Sequence, residues 1–147
     1  MRPTFDHFGH PVRAAGILVW SDGYVLLRRI KWRYEDIGGK TDAKDACAMH
    51  TAIRETVEET DGKLFDPRDT HADCANRLAA ILPHCETHYN PRSKYLCYIV
   101  HVPVHIRHLP MHRFGLTETT EWGTLPHYYK WKQRFPTNLH PRIRLLR

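Results

Sequence analysis

The sequence predicts an α+β domain with a β-sheet packed between helices, and three observations predict it. Residues 14–30 hold two apolar, β-branched runs on either side of Asp22-Gly23; residues 45–60 keep a helical period; residues 94–104 form a long aromatic and β-branched run. Hairpin, helix, strands and closing helix, in that order, fit one layered domain over residues 1–147. A chain of 147 residues is large enough to bury a single hydrophobic core.

Taken in order, "AAGILVW" (14–20) and "YVLLRRI" (24–30) read as a β-hairpin, because the tight turn between them needs positive φ and Gly23 adopts it without a Cβ penalty. Residues 31–45, "KWRYEDIGGKTDAKD", read as a loop around a Gly-Gly pair. A helix is then expected from Asp45, a suitable N-cap, to Glu59 or Thr60, with Gly62 as its stop signal. Residues 64–75 mix turn formers with little periodicity. Residues 77–85 fit a strand or a short helix, and Pro83 interrupts either. Residues 94–104 read as a strand, "LTETTEWGTL" as a turn entering a short strand, and residues 126–135 as a helix with Pro in its first turn.

Composition narrows the functional classes. An apolar fraction of 41% against 26% charged is that of a folded soluble chain rather than a disordered one. No apolar run approaches the roughly 18 residues of a membrane span, and "MRPTFDHFGHPVR" lacks the apolar stretch of a secretory signal. Cys47, Cys74, Cys85 and Cys97 include no C-x-x-C pair, so reduced thiols and a cytoplasmic setting are expected. The net charge of +6 is concentrated at the end: residues 125–147 contain six Lys/Arg and no acid. Such a segment fits an anionic partner, a phosphorylated ligand or nucleic acid, or else a solvated helix face.

The helix beginning near Asp45 raises the chemical question. With Ile53 at zero and about 100° per residue, Ala46, Met49, Ile53 and Val57 fall within about 40° of one line. Glu58, Glu55 and Glu59 fall at about 140°, 200° and 240°, which reads as a carboxylate stripe opposite an apolar one. Two carboxylates about 5 Å apart repel by roughly 3 kcal/mol at an effective dielectric near 20, whereas the Arg54–Glu58 pair returns only about 0.2–0.5 kcal/mol. Fully exposed, the cluster is an ordinary charged face. Partly enclosed, it needs a cation, and Mg²⁺ or Mn²⁺ suits clustered carboxylate oxygens. The Gly-Gly pair just before the helix adds backbone able to approach a phosphate.

The stretch "GGKTDAKDACAMHTAIRETVEETDG" resembles the Nudix box, G-x5-E-x7-R-E-U-x-E-E-x-G-U, with Gly39 as its first Gly and "RETVEE" (54–59) as its core; the hairpin of residues 14–30 resembles the strands that precede the box. Asp45 stands where the pattern has its early Glu. Eight residues instead of seven separate it from Arg54, and two instead of one separate Glu59 from Gly62. The resemblance implies an α/β/α sandwich with a mixed, strongly curved sheet. It also implies a Mg²⁺- or Mn²⁺-dependent hydrolase of a diphosphate linkage in a nucleoside diphosphate joined to a further group. Carried over by position, Glu55, Glu58 and Glu59 would hold the metal, with the Gly39 carbonyl as an added oxygen. Glu55 or Glu59 would be the general base, Arg54 would orient the glutamates, and Lys40 would touch a phosphate. Glu121, before Trp122, resembles the acidic ligand that many members add from a later loop; Glu118 is its neighbour, and a solvent-facing turn is the plain alternative for both.

Two further features compete. "HCETH" sets His84 and Cys85 with His88, and "HVPVHIRH" sets His101, His105 and His108, with His101 and His105 expected on one face of a strand, but a structural zinc site takes about four N/S ligands and no cysteine pair supports one. Exposed histidines or phosphate contacts are the simpler reading. The closing segment interleaves Tyr128, Tyr129, Trp131 and Phe135 with Lys130, Lys132 and Arg134. These side chains either pack on the sheet with snorkelling cations or contact RNA. In the second case capped RNA, or another large polyanion such as a diphosphoinositol phosphate, fits as substrate. A catalytically weak Nudix-fold module that binds RNA or a nucleotide is the alternative to an enzyme.

Overall fold

The structure is a computed structural model and describes residues 1–30, 32–108, 128–131 and 138–144. The architecture is mixed α+β, with a mixed sheet and, among the described residues, two α-helices. In chain order the elements are β1 (Phe5–His7), β2 (His10–Val12), β3 (Ala14–Ser21), β4 (Tyr24–Leu26), β5 (Arg28–Ile30), β6 (Arg33–Glu35), β7 (Ile37–Lys40), α1 (Ala48–Thr60), α2 (His71–Ile81), β8 (Thr87–Asn90), β9 (Tyr95–His101) and β10 (Tyr128–Lys130).

The central strand is β3. It pairs in parallel with β9 over its whole length, Ala14 opposite Tyr95 through Trp20 opposite His101, and β8 lies antiparallel beyond β9. Along its other edge β3 is shared by two antiparallel partners: β7 takes Ala14 to Ile17, and β4 takes Val19 to Ser21, with β10 beyond β4. The hairpin expectation holds for β3–β4, where Asp22 (φ 47) and Gly23 (φ 80) supply the two positive-φ positions of the turn. It stops at Leu26. Residues 28–30 leave β3 and pair with β6 instead. The stretch read as a loop therefore contains two strands, and Gly38-Gly39 lies inside β7.

Alternation along the strands divides the core. Ala15, Ile17, Val19, Leu96, Tyr98 and Val100 face α1 and α2, whose Ala48, Ala52, Val57, Cys74 and Leu78 complete that cluster. Leu18, Tyr95, Cys97 and Ile99 point the other way and pack with Trp131, Leu139 and Ile143 from the C-terminal region. Both α-helices thus lie on one face. The closing helix expected over residues 126–135 is corrected where those residues are described: Tyr128–Lys130 is an edge strand paired with β4. The expected turn and strand around "LTETTEWGTL" lie outside the described residues.

Residues 64–75 also hold more order than their composition suggests. α2 begins at His71, capped by Thr70 with a reciprocal capping box to Asp73. It continues into a 3-10 turn, Leu82–His84, where Pro83 sits at a helix-entry position that tolerates it. Residues 94–104 are a strand only to His101, and Val104–His108 is a 3-10 turn. The four cysteines are free thiols. Among the described residues no helix is long and apolar enough to cross a membrane.

Candidate active site

The helix carrying the glutamates starts three residues later than expected. Its N-cap is Cys47, which makes no side-chain cap. Asp45 is instead drawn inward, 8% exposed: its carboxylate accepts from the Asp42 N–H at 2.9 Å, from the Thr51 hydroxyl at 2.8 Å, and from both arms of Arg54 at 2.9 and 3.0 Å. Burial alone would raise its pKa, but these hydrogen bonds, Arg54 foremost, leave it below the ordinary carboxylate value. At the other end Asp61 closes the helix in the left-handed region (φ 51), and Gly62 follows at φ 72.

The face that α1 buries is not the one expected. Ala48, Thr51, Ala52, Thr56, Val57 and Thr60 are buried, whereas Met49 and Ile53 are half-buried and Ala46 is exposed. On the same wheel Ala48, Ala52 and Thr56 lie at about 220°, 260° and 300°, so Glu55 and Glu59 belong to the sheet-facing side. Hydropathy misplaced the stripe because the buried positions carry threonines. Their hydroxyls are satisfied locally, Thr56 donating to the Ala52 carbonyl and Thr60 to the Thr56 carbonyl, each at 2.7 Å. The expectation of carboxylates opposite the apolar stripe therefore holds only for Glu58, whose side chain is 52% exposed. Glu58 and Arg54 look outward onto a groove of about 420 Å³ between α1 and α2.

Small residues let the helix approach β7, and the two glycines have separate steric reasons. A Cβ on Gly38 would collide with the Tyr95 hydroxyl and the Gly16 backbone; one on Gly39 would land on the Glu55 carboxylate. Gly39 is the floor against which Glu55 rests. Because the atoms met are the far end of a flexible side chain, Gly39→Ala should displace the Glu55 carboxylate at a cost of about 1 kcal/mol or less in urea unfolding. Gly38→Ala, which meets backbone, should cost clearly more.

Each glutamate has its own surroundings. Glu59 accepts from the Gly38 N–H at 3.1 Å and forms an ion pair with Arg28, whose Nη1 lies 2.5 Å away. Arg28, from β5, is itself only 8% exposed. Burial pushes the Glu59 carboxyl up to about 8, Arg28 offsetting part of the effect and Glu55 adding to it. Burial also raises Glu55, with Arg54 opposing and Glu58 reinforcing. Arg54 reaches Glu55 at 3.1 Å and Glu58 at 3.4 Å, and donates to the Lys40 carbonyl at 2.9 Å. Its charge is held firmly, first by the hydrogen bonds to Asp45. The Lys40 side chain is exposed at the end of β7. Glu55, Glu59, Arg54, Gly39 and Lys40 thus share one edge of the sheet, with Glu58 on its outer side. Glu118 and Glu121 lie outside the described residues.

The donor set of three carboxylates and a strand carbonyl is made of hard oxygens, as Mg²⁺ and Mn²⁺ require, and two of the carboxylates are buried with raised pKa, the state that a cation relieves. No three acidic, imidazole or thiol groups are already drawn into a cage among the described residues. A cation at Glu59 would have to take over from Arg28. The histidine pattern shows the same separation: His101 ends β9 while His105 and His108 lie in a 3-10 turn, so the shared strand face expected for His101 and His105 does not form.

Sequence reading missed Arg28, Asp36 and Arg142. Arg142, in the basic tail read as a solvated or RNA-binding surface, is buried in the second core and bonded to Asp36 Oδ1 at 2.7 Å. It also reaches the Asp36 carbonyl at 3.1 Å and the Gly38 carbonyl at 3.5 Å. The Tyr95 hydroxyl donates to Asp36, and the Arg142 guanidinium lies 4.7 Å over the Tyr95 ring. The usable signal was "EDIGG": Asp36 joins β6 to β7 and is fully buried, and a buried acid needs a cation. Compared with protein-family models and with curated proteins, the chain matches none.

Proposed function

We propose that this protein is a Mg²⁺- or Mn²⁺-dependent hydrolase of the Nudix type, cleaving a diphosphate linkage in a nucleoside diphosphate joined to a further group. The observation that carries the reading is the burial of Glu55 and Glu59 against the Gly38-Gly39 strand, with pKa values raised and Arg28 and Arg54 as their cations. Carboxylates placed this way cost stability unless they serve chemistry or a ligand. In this reading Glu55, Glu58, Glu59 and the Gly39 carbonyl hold the metal. Such an ion, when bound, offsets charge on phosphoryl oxygens and makes water a stronger acid.

The chain's own residues supply the rest. Glu59 is the more enclosed of the two general-base candidates; without metal its carboxyl, near 8, is mostly protonated at neutral pH, so a cation beside it would be what frees it to act as a base. Arg54 is a positioning residue, anchored by Asp45 and turned onto Glu55 and Glu58. Lys40 and Arg28 offer cations to phosphates, Lys40 from solvent and Arg28 once Glu59 has another partner.

The test is turnover of a substrate panel (nucleoside diphosphate sugars, dinucleotide polyphosphates, coenzyme A, capped RNA, diphosphoinositol phosphates), with products identified by mass in Mg²⁺, in Mn²⁺ and in EDTA. Metal-dependent cleavage between phosphates of at least one member is expected. Tight nucleotide or RNA binding without turnover of any member in saturating metal would reject the enzyme and leave a binding module.

A further inference from the structure

The strand pair β5–β6 is a two-stranded ribbon outside the main sheet, with Arg28 opposite Glu35, Arg29 opposite Tyr34 and Ile30 opposite Arg33. Its inner end is Arg28, in contact with Glu59. At its turn stands Trp32, 63% exposed, an unusual position for the largest apolar side chain. The Arg33 guanidinium lies 5.4 Å over the Trp32 ring, and Arg29 is exposed on the other face of the ribbon. Residues 28–35 contain one acid, Glu35, which is 7% exposed and lies 3.6 Å from Arg142, against four cations (Arg28, Arg29, Lys31 and Arg33), so the segment carries a net positive charge.

The exposed tryptophan is held in place rather than left loose. Asn138 donates its side-chain N–H to the Trp32 carbonyl, Tyr34 N–H donates to the Asn138 carbonyl at 2.9 Å, and His140 N–H to the Tyr34 carbonyl at 2.7 Å. Tyr34 also packs edge-on against Tyr129, with centroids 5.1 Å apart. These bonds fix the backbone of Trp32, so a flat ring that stacks on its indole has only the two side-chain torsions left to order. From Arg28 to the level of Arg33, which lies opposite Ile30 on the Arg28 face, the ribbon runs about 7 Å at roughly 3.3 Å per residue, and Trp32 stands at the turn just beyond.

We infer that this ribbon grips a single-stranded polynucleotide, so that the further group joined to the diphosphate is an RNA strand. Trp32 stacks on a base and Arg33, on the same face as Arg28, takes a phosphate, while the 5′ diphosphate bridge reaches the glutamates beyond Arg28. Aromatic faces with interleaved cations bind single strands with little sequence preference, because every base offers a π-face and every linkage a charge. The substrate class rests on the hydrolase reading; the binding surface does not, and the two can be tested apart.

The test is fluorescence anisotropy of a short labelled single-stranded RNA with the full chain in EDTA, where turnover is absent, across a salt series. Trp32→Ala should weaken binding roughly 5- to 150-fold, and Trp32→Tyr should restore most of it. Arg33→Gln should lower the slope of log affinity against log salt by about 0.7. Phe8→Ala, which removes an aromatic 90% exposed on the β1–β2 turn, should change nothing. Wild-type affinity in Trp32→Ala, an equal loss in Phe8→Ala, or an equal loss against heparin, which has no bases to stack, would each overturn the inference. In parallel, wild type and Phe8→Ala should cleave a mononucleotide diphosphate in Mn²⁺ at equal rates. No cleavage by wild type with the RNA effect intact removes the hydrolase and keeps the surface; cleavage without an RNA effect removes the surface alone.

Discussion

If the proposed hydrolase reading holds, Glu59→Gln should lower turnover by about 10²–10⁴-fold or more, while making the metal-free protein progressively more stable than wild type as pH rises. The two effects have one cause. Glu59 is enclosed by β7, Arg28 and its own helix, and its carboxyl sits near 8 instead of its ordinary 4.5. A carboxyl whose folded pKa is raised contributes stability below its unfolded pKa and loses that contribution as pH climbs through the folded one. For this residue the window runs from about 4.5 to about 8. Each unit of displacement corresponds to about 1.4 kcal/mol, so the slope is measurable even after Arg28 has offset part of it. Glutamine keeps an oxygen for Arg28 and the Gly38 N–H but carries no charge to bury. Thermal midpoints of both proteins in EDTA between pH 5 and 9 should diverge with pH, and Mn²⁺ should raise the wild type more than the variant. Parallel curves would mean that Glu59 is not an enclosed carboxylate.

Arg142→Met carries the largest structural effect. Asp36 is fully buried, and Arg142 provides its counter-charge at 2.7 Å; removing the guanidinium leaves a carboxylate with only the Tyr95 hydroxyl and a weak Cys97 thiol contact at 3.5 Å. Breaking such a pair costs about 3–5 kcal/mol, whereas removing both charges is far milder. The thermal midpoint should fall by roughly 6–20 °C in Arg142→Met and recover much of that in the double variant with Asp36→Asn. An unchanged midpoint in the single variant would show that the pair does not hold the second core together. The consequence for the site follows from position. Arg142 also reaches the Gly38 carbonyl, and Gly38 is the residue whose N–H meets Glu59. The tail therefore braces, from behind, the strand on which the glutamates rest.

The same pair explains how far sequence reasoning reached. Patterns local to a few residues came through: the Asp22-Gly23 hairpin, the helix ending near Thr60, the strand from Tyr95 and the α+β class. Patterns whose meaning depends on a distant partner did not. Asp45 reads as an N-cap until Arg54 and Thr51 are seen to claim its oxygens. The capping box of Thr70 and Asp73 was visible in the residues, yet the turn formers around it obscured it. Tyr128 to Lys130 reads as helical, but the free edge of β4 pairs it as a strand.

By itself the sequence determined which residue types the candidate site contains, because an acidic helix next to a glycine pair is a local pattern and a chain must write it contiguously. Only the tertiary structure decided which carboxylates are enclosed and which cations answer them. Enclosure is a property of what packs opposite: threonines that satisfy their own hydroxyls turn the helix so that Glu55 and Glu59 face β7, and Arg28 and Arg142 arrive from strands and tail far along the chain.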